Sequence, residues 1–362
     1  MRIKRIVQYL KKHKGFIRFF NIQFLSAILT VLVGKITAIY FTPKSFGEYA
    51  IISSIFAFFG SVIATPLIQS YRFIYHKYEY LKLNNYYFSI FTWFIFSLWC
   101  LFIFLFLTFD VSIVISSICI LTLLFQTYQS VLGAGLNLRG YNNKYAIISL
   151  SIPISTLFII LISVYFLNKR EFYILLIANA FAQFAVFLLF SLSIKENKKI
   201  KIYKIKSILT DVVSNEIFLF IRPLLLLPIY SWVVISGDKF LIKYYIGDHA
   251  VGLYSASYSI GSKIFLTISG IIILYLNTSI YKEISTGINL IEIRKKIIRR
   301  SGIYFMIGSG ITFLIHFFSD TIGYILLSEQ YKEGFHLISL LSFASLIMTC
   351  FFFGNKLFMQ LD

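Results

Sequence analysis

Ten long apolar stretches dominate this sequence and exclude most folds open to a water-soluble chain. They run over residues 16–41, 49–71, 87–109, 112–137, 145–167, 172–194, 217–236, 251–276, 301–318 and 335–353. A helix needs roughly 20 mostly apolar residues to cross the hydrocarbon core of a bilayer. The strands of a membrane β-barrel are instead short segments of alternating hydrophobicity. The pattern therefore predicts an all-α polytopic membrane protein with ten spans. Composition agrees: 58% of the 362 residues are hydrophobic, 14% are charged, and the mean hydropathy is +0.81. A soluble domain has too little interior for that much apolar surface.

The net charge of +19 raises the possibility of a nucleic-acid partner, but the placement of the charge argues against one. Cytoplasmic loops of membrane proteins accumulate Lys and Arg. With the N-terminus inside, 25 of the 34 basic residues fall in the N-terminal segment, every second loop and the tail. The opposite loops hold 6, and three lie deeper within spans (Lys35, Arg222 and Lys263), with Arg18 at the edge of span 1 counted in the N-terminal segment. This bias predicts a multi-pass membrane protein with a cytoplasmic N-terminus. Residues 1–18 are basic, yet no small-residue cleavage site follows and the next apolar run is long enough to span, so it reads as a first transmembrane helix rather than a removed signal. Cys100, Cys119 and Cys350 fall inside spans without paired spacing, which indicates neither a disulfide framework nor a metal site.

The chain repeats itself. "IYFTPKSFGEYAIISSI" at 39–55 reappears 205 positions later within "FLIKYYIGDHAVGLYSASYSIG", so that Gly47 matches Gly252, Tyr49 matches Tyr254 and Ile55 matches Ile260. Both copies join two spans, 1 to 2 and 7 to 8. A displacement of six spans preserves orientation and predicts two parallel six-helix bundles related by an axis along the membrane normal. The expected division is 1–194 for spans 1–6, a basic cytoplasmic linker at 195–215, and 216–362 for spans 7–10. Counterparts of spans 5 and 6 would lie near 350–399, so the second repeat is expected to be incomplete, with ten of twelve helices. Two stretches, "KKIKIYKIKSILTDVV" and "INLIEIRKKIIRR", place Ile and Leu at helical spacing beside Lys and Arg. Each suits a helix lying in the interface against anionic membrane lipids. A positive-inside bias alone accounts for the same charges.

At "FTPKSFGEYA" and "SGDKFLIKYYIGDHAVGLYSASYSI" the sequence resembles the polysaccharide-exporter branch of the multidrug/oligosaccharidyl-lipid/polysaccharide flippase superfamily, which includes O-antigen and capsule-unit flippases. Gly47, Tyr49, Asp238, Lys239, Gly252 and Tyr254 fill the places of that family's motifs between spans 1 and 2 and between spans 7 and 8. "LSEQYKEGFHLISLLSF" at 328–344 is similar to its segment before span 10. The resemblance implies a place in the bacterial inner membrane and a cargo of undecaprenyl-diphosphate-linked oligosaccharide, with polysaccharide polymerase machinery as a further partner in O-antigen, capsule or lipopolysaccharide synthesis. It departs from the family where spans 11 and 12 are expected.

The residues inside the spans bear on the cargo independently. None of the ten stretches contains Asp or Glu, whereas Glu48, Asp110, Glu216 and Asp238 sit at or just beyond their ends. A charge at the centre of a membrane helix costs about 2.5–3.5 kcal/mol on insertion scales, so retained cations usually face a cavity and a partner. Lys263 lies near the middle of span 8, with Ser255, Ser259 and Thr267 on its face at i−8, i−4 and i+4. That stripe suits a diphosphate; a snorkelling Lys fits as well. Arg222, followed by Pro223, could fork onto phosphate oxygens or reach headgroups, and Lys35 could snorkel outward. Gln126 in span 4 and Asn179 in span 6 could hydrogen-bond sugars, or glue helices together. Pro66, Pro153, Pro223 and Pro228 are expected to bend their spans.

Enzyme chemistry finds no support: there is no deep carboxylate pair, nucleophile elbow, phosphate-cradling glycine loop or metal-ligand cluster, and no cofactor is implied. A membrane polysaccharide polymerase would carry a large outer loop, and these loops are short. A multidrug or cation antiporter of the same superfamily remains the main alternative.

Overall fold

The computed structural model describes residues 14–75, 80–109, 113–166, 170–193, 212–285 and 290–361. Its regular structure is helical throughout. We number the helices α1 (Lys14–Tyr40), α2 (Pro43–Ile74), α3 (Tyr80–Phe109), α4 (Ile113–Leu138), α5 (Asn142–Ser149), α6 (Ser151–Tyr165), α7 (Phe172–Ser193), α8 (Val212–Ile221), α9 (Leu226–Tyr245), α10 (Asp248–Ser285), α11 (Leu290–Phe317), α12 (Ser319–Leu326) and α13 (Phe335–Leu361). Each of the ten predicted spans falls on one of these helices or on a bent pair. Six are long and apolar enough to cross a membrane by length and composition, or eight if each bent pair is one span. The remaining two predicted spans lie in α3 and α10, which are 30 and 38 residues long.

Local chemistry explains where the helices stop. Between α1 and α2, Thr42 Oγ1 accepts the Ser45 amide at 3.3 Å, a side-chain N-cap, and Pro43 supplies the first helical residue, where its missing N–H costs nothing. The equivalent joint in the second repeat uses a glycine. Gly247 has φ +116°, a left-handed conformation that L side chains avoid, and its amide reaches back to the Ile242 carbonyl at 3.1 Å. Pro153 lies three residues into α6 and cannot donate to the preceding turn, and the helix is interrupted at Leu150. Arg222–Leu224 forms a 3-10 turn containing Pro223, and α8 and α9 meet there at 41°. The α11–α12 corner is sharper, at 79°. Pro66, by contrast, sits inside an uninterrupted α2.

Packing divides the chain into two compact units, Met1–Ser26 with Glu48–Gly247, and Ala27–Gly47 with Asp248–Asp362. This division differs from the repeat boundary at the first helix of each repeat. The C-terminal part of α1 packs with the second unit, and α8 and α9 pack with the first. Most of the linker at 195–215 lies outside the described residues.

The first unit is centred on aromatic side chains of α2, α3, α4 and α7, among them Tyr71, Tyr87, Phe88, Phe91, Tyr128 and Phe190. Their hydroxyls are paired inside the core. Ser70 and Tyr87 share a hydrogen bond at 2.6 Å, Tyr71 donates to Asn84 Oδ1 at 2.7 Å, and Tyr128 pairs with Thr92. The second unit packs α10, α11 and α13 around Phe265, Tyr304, Tyr331, Phe335, Ile338 and Leu346. Close backbone approach holds it together where lipid supplies no hydrophobic drive between helices. A Cβ on Gly261 of α10 would lie 2.9 Å from both the Ile338 carbonyl oxygen and the Ser342 amide of α13. Many large apolar side chains face outward on both units, including Phe158, Leu192 and Met306, as a chain solvated by lipid requires.

Candidate functional site

Helix α10 carries the predicted stripe. Lys263 is half-buried, and its ammonium donates to the main-chain carbonyl of Thr30 on α1 at 3.4 Å. That is its one hydrogen bond among the described residues, and it is long. One turn earlier Ser259 turns back on its own helix, with Oγ donating to the Ala256 carbonyl at 2.8 Å. Ser255, two turns from Lys263, is buried and its hydroxyl has no partner among the described residues. Thr267 lies on α10, with its side chain outside the described set. The stripe thus brings a half-buried cation, one neutral oxygen and an unsatisfied hydroxyl onto one helix face. No carboxylate lies on it. A cation so placed attracts an anion more strongly than it would in water, because the surroundings screen poorly.

Lys35 stands on α1 five residues beyond Thr30, about 7.5 Å along the axis at 1.5 Å per residue. It is half-buried. Arg222 sits in the 3-10 turn between α8 and α9 and is exposed.

The neutral candidates separate. Asn179 Oδ1 accepts from Gln183 Nε2 at 3.3 Å, and Gln183 Oε1 accepts from Gln129 Nε2. The result is a chain of three amides between α4 and α7, and Gln129 Oε1 is buried without a partner. Gln126, the residue picked from the sequence, points away from this chain and is exposed, while Gln129, one turn on, was missed. Both lie within one polar run on α4, and no period distinguishes the inward one.

The motif residues are also resolved into roles. Asp238 and Lys239, expected just past the end of span 7, lie inside α9, whose apolar segment extends to Tyr245. The sequence boundary at 236 followed the first charges, whereas the helix carries them for two further turns. Lys239 Nζ donates to Ser54 Oγ at 3.3 Å, and its amide donates to Asp238 Oδ1 at 2.8 Å. Trp232 Nε1 donates to the Ser54 carbonyl at 2.7 Å, so two side chains of α9 grip one residue of α2. Gly47 and Gly252 lie at a helix crossing in the second unit, each against the backbone that starts the other's helix. Tyr49 lies on α2, and Tyr254 on α10 stacks against Tyr258 with ring centroids 6.2 Å apart.

The segment 328–331 has a function that its sequence does not suggest. The last carbonyls of a helix have no partner within it. Ser328 Oγ donates to the Ala38 carbonyl at 2.5 Å, Gln330 Nε2 to the carbonyls of Ala38 at 2.6 Å and Phe41 at 3.2 Å, and Tyr331 OH to Phe41 at 2.9 Å. These three side chains cap the C-terminus of α1. Among the described residues no group of His, Cys, Asp and Glu is arranged to hold a metal ion.

No protein-family model matches the sequence, and no curated protein matches it. Solved structures similar in fold include two transporters. An inward-facing multidrug resistance transporter of the MATE family, in the MOP superfamily, superposes with a TM-score of 0.63 at 14% identity, over 95% of this chain and 84% of its own. A mutant of the Vibrio cholerae MATE transporter VcmN gives a TM-score of 0.53 at 11% identity, with the same coverage of both chains. Their likeness is one of fold: an all-α polytopic membrane architecture.

Proposed function

We propose that this protein is a membrane transporter that flips undecaprenyl-diphosphate-linked oligosaccharides across the bacterial inner membrane. The observation that carries the reading is Lys263: a half-buried cation in the middle of α10 whose single described partner is a neutral carbonyl at 3.4 Å. A diphosphate leaving the aqueous headgroup region loses its counterions, and a cation at that depth replaces them. The neutral amides of the first unit, Asn179, Gln183 and Gln129, are suited to sugar hydroxyls. The resemblance of the repeat motifs to polysaccharide exporters and the MATE-like fold support the same class.

A second reading, an antiporter of organic cations, is favoured by one observation. Asp238 lies within α9 rather than in a loop, which gives the membrane region a carboxylate that could bind a cation.

Reconstitution decides between them. Purified full-length protein is placed in vesicles with a short-chain lipid-diphosphate oligosaccharide on one leaflet, and its appearance on the other is followed with a membrane-impermeant lectin. Protein-dependent translocation is expected. Failure to move the lipid, together with ion-driven uptake of a cationic dye, would favour the antiporter.

A further inference from the structure

From the sequence, 288–300 suits a helix lying in the interface, or carries no more than a positive-inside charge bias. In the structure Leu290–Phe317 is one helix of 28 residues, and its apolar segment begins at Ile298, which leaves no place for a helix lying flat there. The basic turns are therefore the stem of a membrane-crossing helix. Once the helix continues into the bilayer, its first turns cannot lie flat.

The stem is asymmetric. At about 100° per residue, Lys295, Lys296, Arg299 and Arg300 occupy an arc of about 140° on one side of α11. All four are exposed. The opposite side is occupied by packing. Tyr304 OH pairs with Thr349 Oγ1 of α13 at 3.0 Å, Gly308 lies against Leu346, and Ile311 and Ile315 join the same cluster. These residues centre about 120° round the helix from the cations. Glu292 falls within the same arc and leaves it three positive charges in excess. The cations form two tiers, Lys295 with Lys296 and Arg299 with Arg300, about 6 Å apart along the axis. By the charge bias, this end of α11 faces the cytoplasm.

We propose that this face is a docking site for the diphosphate headgroup of the lipid-linked cargo at the cytoplasmic membrane surface. The proposal rests on the flippase reading above and names where its substrate is first held. Charge complementarity selects the occupant. Two stacked pairs of cations engage two phosphates at once, with Arg binding bidentately, whereas an ordinary phospholipid offers a single phosphate.

The test is binding rather than transport. Full-length protein in phosphatidylcholine nanodiscs is titrated with undecaprenyl diphosphate, with undecaprenyl monophosphate and phosphatidylglycerol as comparisons, and occupancy is read by native mass spectrometry. Wild type is expected to prefer the diphosphate by at least about fivefold, because each extra interfacial charge contact is worth about fivefold. The double variant Lys295→Gln/Arg299→Gln should lose about 25-fold on the same scale, with its melting temperature unchanged because both side chains are exposed. Glu292→Gln should tighten binding. Unchanged diphosphate binding in the double variant overturns the docking site and leaves the flippase reading intact. An equal loss for phosphatidylglycerol also overturns it, in favour of a general anionic-lipid contact. If wild type binds no undecaprenyl diphosphate, the flippase reading itself fails.

Discussion

Gly47 and Gly252 hold each other's helix in place. A Cβ on Gly47 would lie 3.0 Å from the amide nitrogen of Gly252 and 2.9 Å from the Asp248 carbonyl carbon, and a Cβ on Gly252 would lie 3.0 Å from Pro43 Cα. Pro43 and Asp248 are themselves 205 positions apart, so the crossing is self-complementary: the same patch of each repeat meets the other's copy. Because the obstacle is backbone on both sides, neither helix can yield by changing a rotamer.

Gly47→Ala and Gly252→Ala should therefore each destabilise the protein by at least about 1–3 kcal/mol, the usual range for overpacking. The double variant should cost less than the sum, since one displacement of the crossing relieves both. Gly302→Ala and Gly310→Ala, where an added methyl meets nothing within 4 Å, are the controls and should be neutral or stabilising. Thermal melting in detergent measures all five; equal melting temperatures for Gly47→Ala and wild type would exclude the crossing as drawn.

The caps on α1 give a second expectation. Tyr331→Phe removes one of the two side-chain donors to the Phe41 carbonyl and should cost about 1 kcal/mol; adding Gln330→Ala removes the other and should cost more than the two single losses combined. Additivity in the double-mutant cycle would mean that the two donors do not share that carbonyl.

The grip of α9 on Ser54 is testable separately. Lys239→Met keeps the stem and loses the donor, so it should weaken α9 docking by about 0.5–1.5 kcal/mol, and Ser54→Ala should make the same change cost less. If Lys239→Met acts equally in both backgrounds, the hydroxyl is not its partner.

Lys263→Ala should abolish or sharply reduce glycan export at equal protein level, Lys263→Arg should keep part of it, and Lys35→Ala should matter less. Arg preserves the charge and changes its reach. Removing a charge held only by a neutral carbonyl should leave stability unchanged or raise it, so loss of export accompanied by an unchanged melting temperature separates binding from folding. Wild-type export from Lys263→Ala removes that residue from the site.

Topology supplies the last expectation. A reporter fused after Lys206 should stay cytoplasmic, and one fused after Asp248 should be exported, as the 25-to-6 distribution of basic residues requires. The reverse result at either position overturns the span assignment.

The sequence alone determined that this chain is helical and membrane-spanning, that a motif recurs at an offset of 205 positions, and which stretch of chain each apolar span occupies. Those properties follow from run length, hydropathy and a motif copied at a fixed offset, all of which are local. Tertiary structure decided the rest. A helical period puts Ser255, Ser259 and Lys263 on one face but cannot show that the Thr30 carbonyl is the oxygen facing them. It marks Gln126 and Gln129 as equally polar, while only the packing of α4 on α7 turns Gln129 toward Gln183. It ends span 7 at its first charges, because in isolation Asp238 and Lys239 look like loop residues; with Ser54 to receive Lys239, the helix carries them further. Nor does it connect residues 328–331 with the end of α1, since those hydrogen bonds join positions about 290 apart. Each of these features depends on a partner far away in sequence, and a partner at that distance exists only once the chain has folded.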